Sequence, residues 1–319
     1  MAVTSIARSQ PLQARARTVA NRRARARVYD KIATGTLWGI AGFITLSFLF
    51  VVLYTLLQGL PHISWQFLTS GDFNTGIGLQ IFNTFYLLFL SLLFMVPVGV
   101  GAAIYIVEYA RNERFLRVLR FATETLTSTP TLIVGFFGFI VFSTYVYPII
   151  SIGPLHLHGL GLGFTRISGA LTLAVLNVPW MLRTAEDALR AVPRGVREAS
   201  LAMGATKWQS TIRVVLPAAI PGLVTSILIV AGRVIGETAA LIYTTGATSS
   251  ASNIFNPALN VPGETLAYHA YVLFAEPTQN SENLRLGTAL VLIVLVLLFN
   301  VGARIIGAAL NRHFSGKQA

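Results

Sequence analysis

Cysteine is absent from the 319 residues, which excludes disulfide bracing and thiolate metal sites. Charge is nearly as scarce: Asp, Glu, Lys and Arg make up 11% of the chain, against about 25% in an ordinary soluble domain. Acidic residues are the scarcer half, 12 against 24 Lys and Arg, for a net charge of +12. Such an excess fits a nucleic-acid partner only where the cations form one stripe on a folded surface. Here they flank apolar runs, so no nucleic acid is expected. Enzyme signatures are missing too. The chain has no His-Glu-x-x-His, no Gly-x-Ser-x-Gly and no Gly-x-x-x-x-Gly-Lys, so no catalytic residue, metal or cofactor is expected on it. The glycines of Gly159-Leu160-Gly161-Leu162-Gly163 follow no strand and precede no Lys-Ser/Thr, which makes them part of a flexible surface loop rather than a phosphate cradle.

What the chain has in excess is apolar residues, 54% of the total, with a mean hydropathy of +0.66. That composition describes an integral membrane protein. Six runs, at about 34–58, 80–107, 130–152, 167–187, 218–243 and 287–310, are each long enough to cross about 30 Å of hydrocarbon as a helix. The expected fold is an all-α membrane protein of about six transmembrane helices. Residues 1–31 form a basic tail, dense at Arg22-Arg23-Ala24-Arg25-Ala26-Arg27 and expected to be disordered or to lie at the membrane surface. Residues 32–314 form the membrane domain.

The cations also fix orientation. With the tail inside, the inner segments hold its eight Lys and Arg, then Arg111, Arg114, Arg117 and Arg120, then Arg190, Arg194, Arg197, Lys207 and Arg213, then Arg304, Arg312 and Lys317. The outer segments hold only Arg166 and Arg285. By the positive-inside rule both termini are cytoplasmic. Outside, residues 59–79 read as a shallow interfacial hairpin and 246–286 as the largest loop. His156 and His158 read as solvated loop histidines, because a metal site needs more ligands than the sequence shows there.

Arg183, Arg233 and Glu237 are the charges within or at the edges of the spans that bear on function. Arg233 and Glu237 are four apart, one helical turn, so a continuous helix would place them on one face as an ion pair. Counted from Pro217, Arg233 stands about 24 Å along the axis, beyond the midplane toward the outside. A charge at that depth costs at least about 2.5–3.5 kcal/mol unless it faces protein or water. Arg233 offers a planar fork that suits an oxyanion, and Glu237 competes for it. Arg183 either snorkels and pairs with Glu186 or Asp187, or lines the same pathway.

Residues 190–217, between the fourth and fifth runs, are the most polar interior segment. Val196, Ala199, Leu201, Ala202 and Met203 suit a short helix with an apolar face. Gly204 can end it in the left-handed conformation, and Thr206 can cap a second short helix before Pro217 opens the next run. Glu198-Ala199-Ser200, Gly204, Val214 and Leu216-Pro217 resemble the EAA loop of ABC importer permeases, with Ser for the third alanine and Val for isoleucine. Arg233-Val234-Ile235-Gly236-Glu237-Thr238-Ala239-Ala240-Leu241 is similar to the phosphate-specific, PstA-type branch of that family. So are Pro193 to Ala199, Gly204 to Gln209, Thr265 to Tyr271 and Asn300 to Arg304.

The resemblance covers about residues 34–310. It implies a type I, MetI-like architecture in a bacterial plasma membrane, and a heterodimer with a PstC-type permease. A pair of PstB-type ATPases would bind ATP and Mg on their own chains. A PstS-type protein would deliver inorganic phosphate, and Glu198, Ala199, Gly204, Lys207, Leu216 and Pro217 would form the ATPase coupling loop. Arg233, Glu237 and Arg183 are the substrate-pathway residues. A permease for molybdate, sulfate or phosphonate, or an ATP-independent anion carrier, are the alternatives.

Overall fold

The computed structural model describes residues 10–144, 148–152, 155–248, 253–275 and 281–315. The chain divides into two compact units, residues 1–57 and 58–319. The first consists of most of α1 (Gln10–Gly59). Residues 10–31 are therefore helical, where a disordered or membrane-surface tail was expected. Ala, Arg, Gln and Leu favour helix, and neither glycine nor proline interrupts the chain between residues 12 and 34. The hydroxyls of Thr36, Thr45 and Thr55 donate to their own helix at Ile32, Ala41 and Val51, which satisfies these three groups within the helix.

The second unit begins with a 3₁₀ turn and α2 (Trp65–Thr69), capped by Ser64. It continues with α3 (Gly78–Ile104), which ends in a π turn over Tyr105–Tyr109, and α4 (Glu113–Ser128), capped by Asn112. α5 (Thr131–Gly138) follows with a second π turn to Ser143, after a 100° bend at Thr129-Pro130. Proline holds the residue before it extended, and Thr129 lies at φ −71°, ψ 133°.

The third run, expected to span over 130–152, is thus broken. Its helix stops at Ser143, and the short strands β1 (Pro148–Ile152) and β2 (Leu155–His158) pair antiparallel where a flexible loop was expected. α6 (Arg166–Arg190) leads to α7 (Arg194–Ala202) and α8 (Lys207–Ser210). α8 runs through a π turn, Thr211–Val215, into α9 (Leu216–Ile235). Short α10 (Ala239–Ile242), α11 (Leu266–Ala275) and α12 (Ser281–Ser315) complete the fold.

Among the described residues four helices are long and apolar enough to cross a membrane, and five if α4 and α5 count as one bent span. α6 is outside that number, yet it is central. Its Leu173, Ala174, Met181, Ala185 and Leu189 pack against α3 and α9 in the main core with Leu87, Met95, Val215, Val230 and Ile235. α3 and α6 approach closely at Gly99, where a Cβ would lie 2.7 Å from Met181 Cγ. Ser226 donates to the Thr184 carbonyl at 2.9 Å and Gly222 faces Ala188, so α6 and α9 are antiparallel.

At the end of the bundle away from α7 and α8, the loop after α10 is pinned by buried polar groups. Glu264 and His269 are both fully buried, 3.1 Å apart. Thr248 and Glu264 exchange two hydrogen bonds of 3.1 Å, and Asn83 donates to the Glu264 carbonyl. Arg166, expected in an outer loop, is instead buried. Its guanidinium donates to the carbonyls of Asn256 and Ala258 and lies against the rings of Phe82 and Tyr86.

Candidate functional site

The segment between α6 and α9 folds as a two-helix knob. α7 ends at Ala202, and Gly204 takes φ +84°, the left-handed conformation that a side chain would strain. Thr206 and Gln209 then form a reciprocal capping box that starts α8. Pro217 opens the next apolar run in the first turn of α9, as expected, although α8 continues through the π turn into α9 without a break. Lacking an N–H and crowding the carbonyl four residues back, it favours the wider π turn directly before it.

Glu198 and Ala199 are exposed, as are Leu201, Trp208 and Met203, the last 88% accessible. The knob therefore presents an apolar surface beside an acidic residue. Leu216 packs at the edge of the core and Pro217 faces outward.

Two contacts tie this knob to the bundle. Arg197 Nε donates to Glu108 Oε1 at 2.9 Å, and its Nη atoms donate to the carbonyls of Leu189 and Val192. One guanidinium thus satisfies the orphan carbonyls at the end of α6 and a carboxylate at the end of α3. Lys207 Nζ lies 5.1 Å from the Tyr109 ring, on that same end of α3. Neither tie is visible in the sequence, because the partners are far apart along the chain.

Higher in the bundle, the expected Arg233–Glu237 ion pair is not formed. α9 ends at Ile235, and Gly236 turns the chain before Glu237, so the two residues share no helix face. Glu237 instead accepts the Ala240 N–H at 3.4 Å, at the start of α10. Arg233 is exposed and stacks on the Trp180 ring of α6 at 4.9 Å, and no described carboxylate pairs with it. It follows Ser226 by about 10 Å along α9. The antiparallel register thus puts it level with about Asn177, near half the height of α6 rather than toward the outer end.

Arg183 lies one turn beyond Trp180, exposed on α6, and pairs with neither Glu186 nor Asp187. Glu186 accepts instead from Arg190 at 2.7 Å and from Arg120 of α4 at 3.2 Å. These groups surround a cavity of about 300 Å³ between α4 and α6, lined by Arg120, Thr123, Glu124, Arg183, Glu186 and Arg190 among others. Arg183 and Asp187 of α6 thus face Arg120 and Glu124 of α4 across a polar cleft. Trp180, one turn from Arg183 on α6, carries Arg233 of α9 beside that cleft, outside its lining. Sequence reading found Arg233 and Arg183 as intramembrane charges but missed Trp180, Arg120 and Glu186. Such a cleft can bind and pass an anion; nothing in it supplies a nucleophile or a metal ligand set among the described residues.

Residues 95–316 match the family model described as "Binding-protein-dependent transport system inner membrane component". A "Probable ABC transporter permease protein YqgI" of Bacillus subtilis is 36% identical over 91% of this chain and 98% of its own length. A "Phosphate transport system permease protein PstA" of Haemophilus influenzae is 30% identical over 88% of this chain and 94% of its own. In fold, the chain is similar to a solved bacterial ABC transporter involved in the import of the acidic polysaccharide alginate. That likeness has a TM-score of 0.58 and 18% identity, over 88% of this chain and 99% of that one. The match spans more than half of the residues and includes the knob and both walls of the cleft, so the chain belongs to the binding-protein-dependent transport system inner membrane components, as a multi-pass ABC importer permease subunit.

Proposed function

We propose that this chain is the PstA-type permease of an ATP-driven phosphate importer. It pairs with a PstC-type permease across the α6 cleft, receives inorganic phosphate from a PstS-type binding protein and is driven by a PstB-type ATPase pair. ATP and Mg belong to those ATPases. The chain lies in the bacterial plasma membrane with the α7–α8 knob and both termini on the cytoplasmic side, where the positive-inside rule places them. The knob docks in a groove of the ATPase through Ala199, Ala202, Met203 and their exposed neighbours, a helix-in-groove contact. Arg197 and Lys207 carry its movement to α6 and α3.

One observation carries the anion reading: Arg233 stands at mid-bundle with no acidic partner among the described residues. A lipid-facing charge there is costly, so this face is covered by protein or water. An unpaired guanidinium in such a place is ready for the paired oxygens of phosphate. Trp180 holds it in position through a cation–π contact of about 0.5–2 kcal/mol. Phosphate itself is supported by the PstA-type resemblance and by the PstA relatives at about 30% identity. A generically named permease at 36% leaves molybdate or sulfate as the competing cargo.

The test is ATP-driven uptake of radiolabelled phosphate by the assembled complex in proteoliposomes. Uptake competed by unlabelled phosphate and not by molybdate or sulfate supports the reading. Competition by another oxyanion instead refutes phosphate as the cargo.

A further inference from the structure

The cavity wall supplied by α4 has features that the pathway reading leaves unused. Glu186 is a nearly buried carboxylate, its side chain 12% exposed, and one of its oxygens, Oε1, accepts from two arginines on different elements. Arg190 lies on the same helix one turn on and approaches through both Nε, at 2.9 Å, and Nη2, at 2.7 Å. Arg120 reaches across from α4 with Nη2 alone, at 3.2 Å, and is 56% exposed. The two bonds are unequal. If Arg120 leaves, Glu186 keeps a cation and no buried charge is stranded, so this is a connection that can open cheaply.

α4 is built to move when it does. No residue of α4 is fully buried, and among the described residues Arg120–Glu186 is its one ion pair to the rest of the bundle. Its far end is the Thr129-Pro130 bend, where the backbone hydrogen bonding of α4 stops. A weakly packed helix with a hinge at one end and a single half-exposed charge pair at its middle has the low local stability of a gate. Arg183, which has no ion-pair partner among the described residues, lines the same cavity.

We propose that Arg120 is a further anion-receiving residue of the transport cleft. An oxyanion arriving at Arg183 draws Arg120 away from Glu186, and that exchange releases α4 to open the knob end of the path. The proposal rests on the reading that this cleft carries an anion. Arg120 changes one charged acceptor for another, and Glu186 stays neutralised by Arg190. The step therefore costs little in solvation and is driven by the second cation gained by the oxyanion.

The absence of cysteine makes the test direct. Thr123→Cys places the subunit's one thiol in the cavity between α4 and α6, and its alkylation by N-ethylmaleimide is measured in the assembled complex. Without anion, Arg120→Gln should label about two- to fivefold faster than the parent, the population change that an exposed ion pair supports. Arg120→Lys, which keeps the charge, should fall between them. Added phosphate should raise the parent rate by a similar factor and leave Arg120→Gln unchanged. Arg190→Gln, which leaves Arg120 as the only cation on Glu186, should weaken the phosphate response. Equal labelling of parent and Arg120→Gln without anion overturns the latch. A parent that responds to no oxyanion overturns the exchange. A parent that responds to molybdate or sulfate but not phosphate supports the latch and refutes only the cargo named above.

Discussion

Arg233 shows how far a single residue can be read from sequence. That it is an intramembrane cation is expected from its position in an apolar run, and the structure places it in the last turn of α9. That it pairs with Glu237 did not survive, because a spacing of four places side chains together only inside an unbroken helix, and Gly236 ends α9 between them. Its actual neighbour, Trp180, lies on another helix and leaves no mark in local sequence. Arg233→Gln keeps the size and some donors but loses the charge. It should reduce ATP-driven anion uptake at least about tenfold, the weight of one charge-assisted contact of 1.5–3 kcal/mol, while the ATPase still co-purifies. Uptake at the parent rate would remove Arg233 from the pathway. Gly204 tests the knob at the same scale. Gly204→Val forces a β-branched residue into φ +84°, at about 1–2 kcal/mol or more. Co-purification of the ATPase should fall, whereas Gly195→Ala, at a helical position with open space, should leave it unchanged.

The elements divide by whether their signals are local. The α7–α8 knob was legible almost residue by residue, since a left-handed glycine and a capping box act within a few positions. The third run was not. Its apolar composition fits a helix or a strand equally, and only the structure shows helix to Ser143, a hairpin beyond, and a sharp bend before. Nor was the fixing of the knob, because Arg197 and Glu108 meet only once α3, α6 and α7 are packed. This pair is mostly buried, so removing one partner strands the other. Glu108→Ala should destabilise the knob's attachment by about 3–5 kcal/mol. In the assembled complex, ATP hydrolysis should persist while uptake per ATP falls. Tight coupling in that variant would show that movement reaches the bundle by another route.

At the scale of the whole molecule, composition was enough for the class: a polytopic helical bundle with scarce charge at its core. Each of the six apolar runs contains a helix: four are long and apolar, the third is part of a bent pair, and the fourth is the charge-bearing α6 at the centre of the core. A hydropathy reading penalises α6 for the same residues, Arg183, Glu186 and Arg190, that line its cleft. The proposed function is concentrated where the apolar pattern fails, and those failures carry the pathway reading.

The central claim is that a mid-bundle arginine cleft carries phosphate under the drive of an ATPase bound at the α7–α8 knob. Its most direct measurement is phosphate uptake by the reconstituted four-component complex, with and without ATP, in the parent and in Arg233→Gln. The account predicts uptake that needs ATP in the parent and is lost in the variant at unchanged complex assembly. Phosphate entry without ATP, or equal uptake by the two proteins, would contradict it.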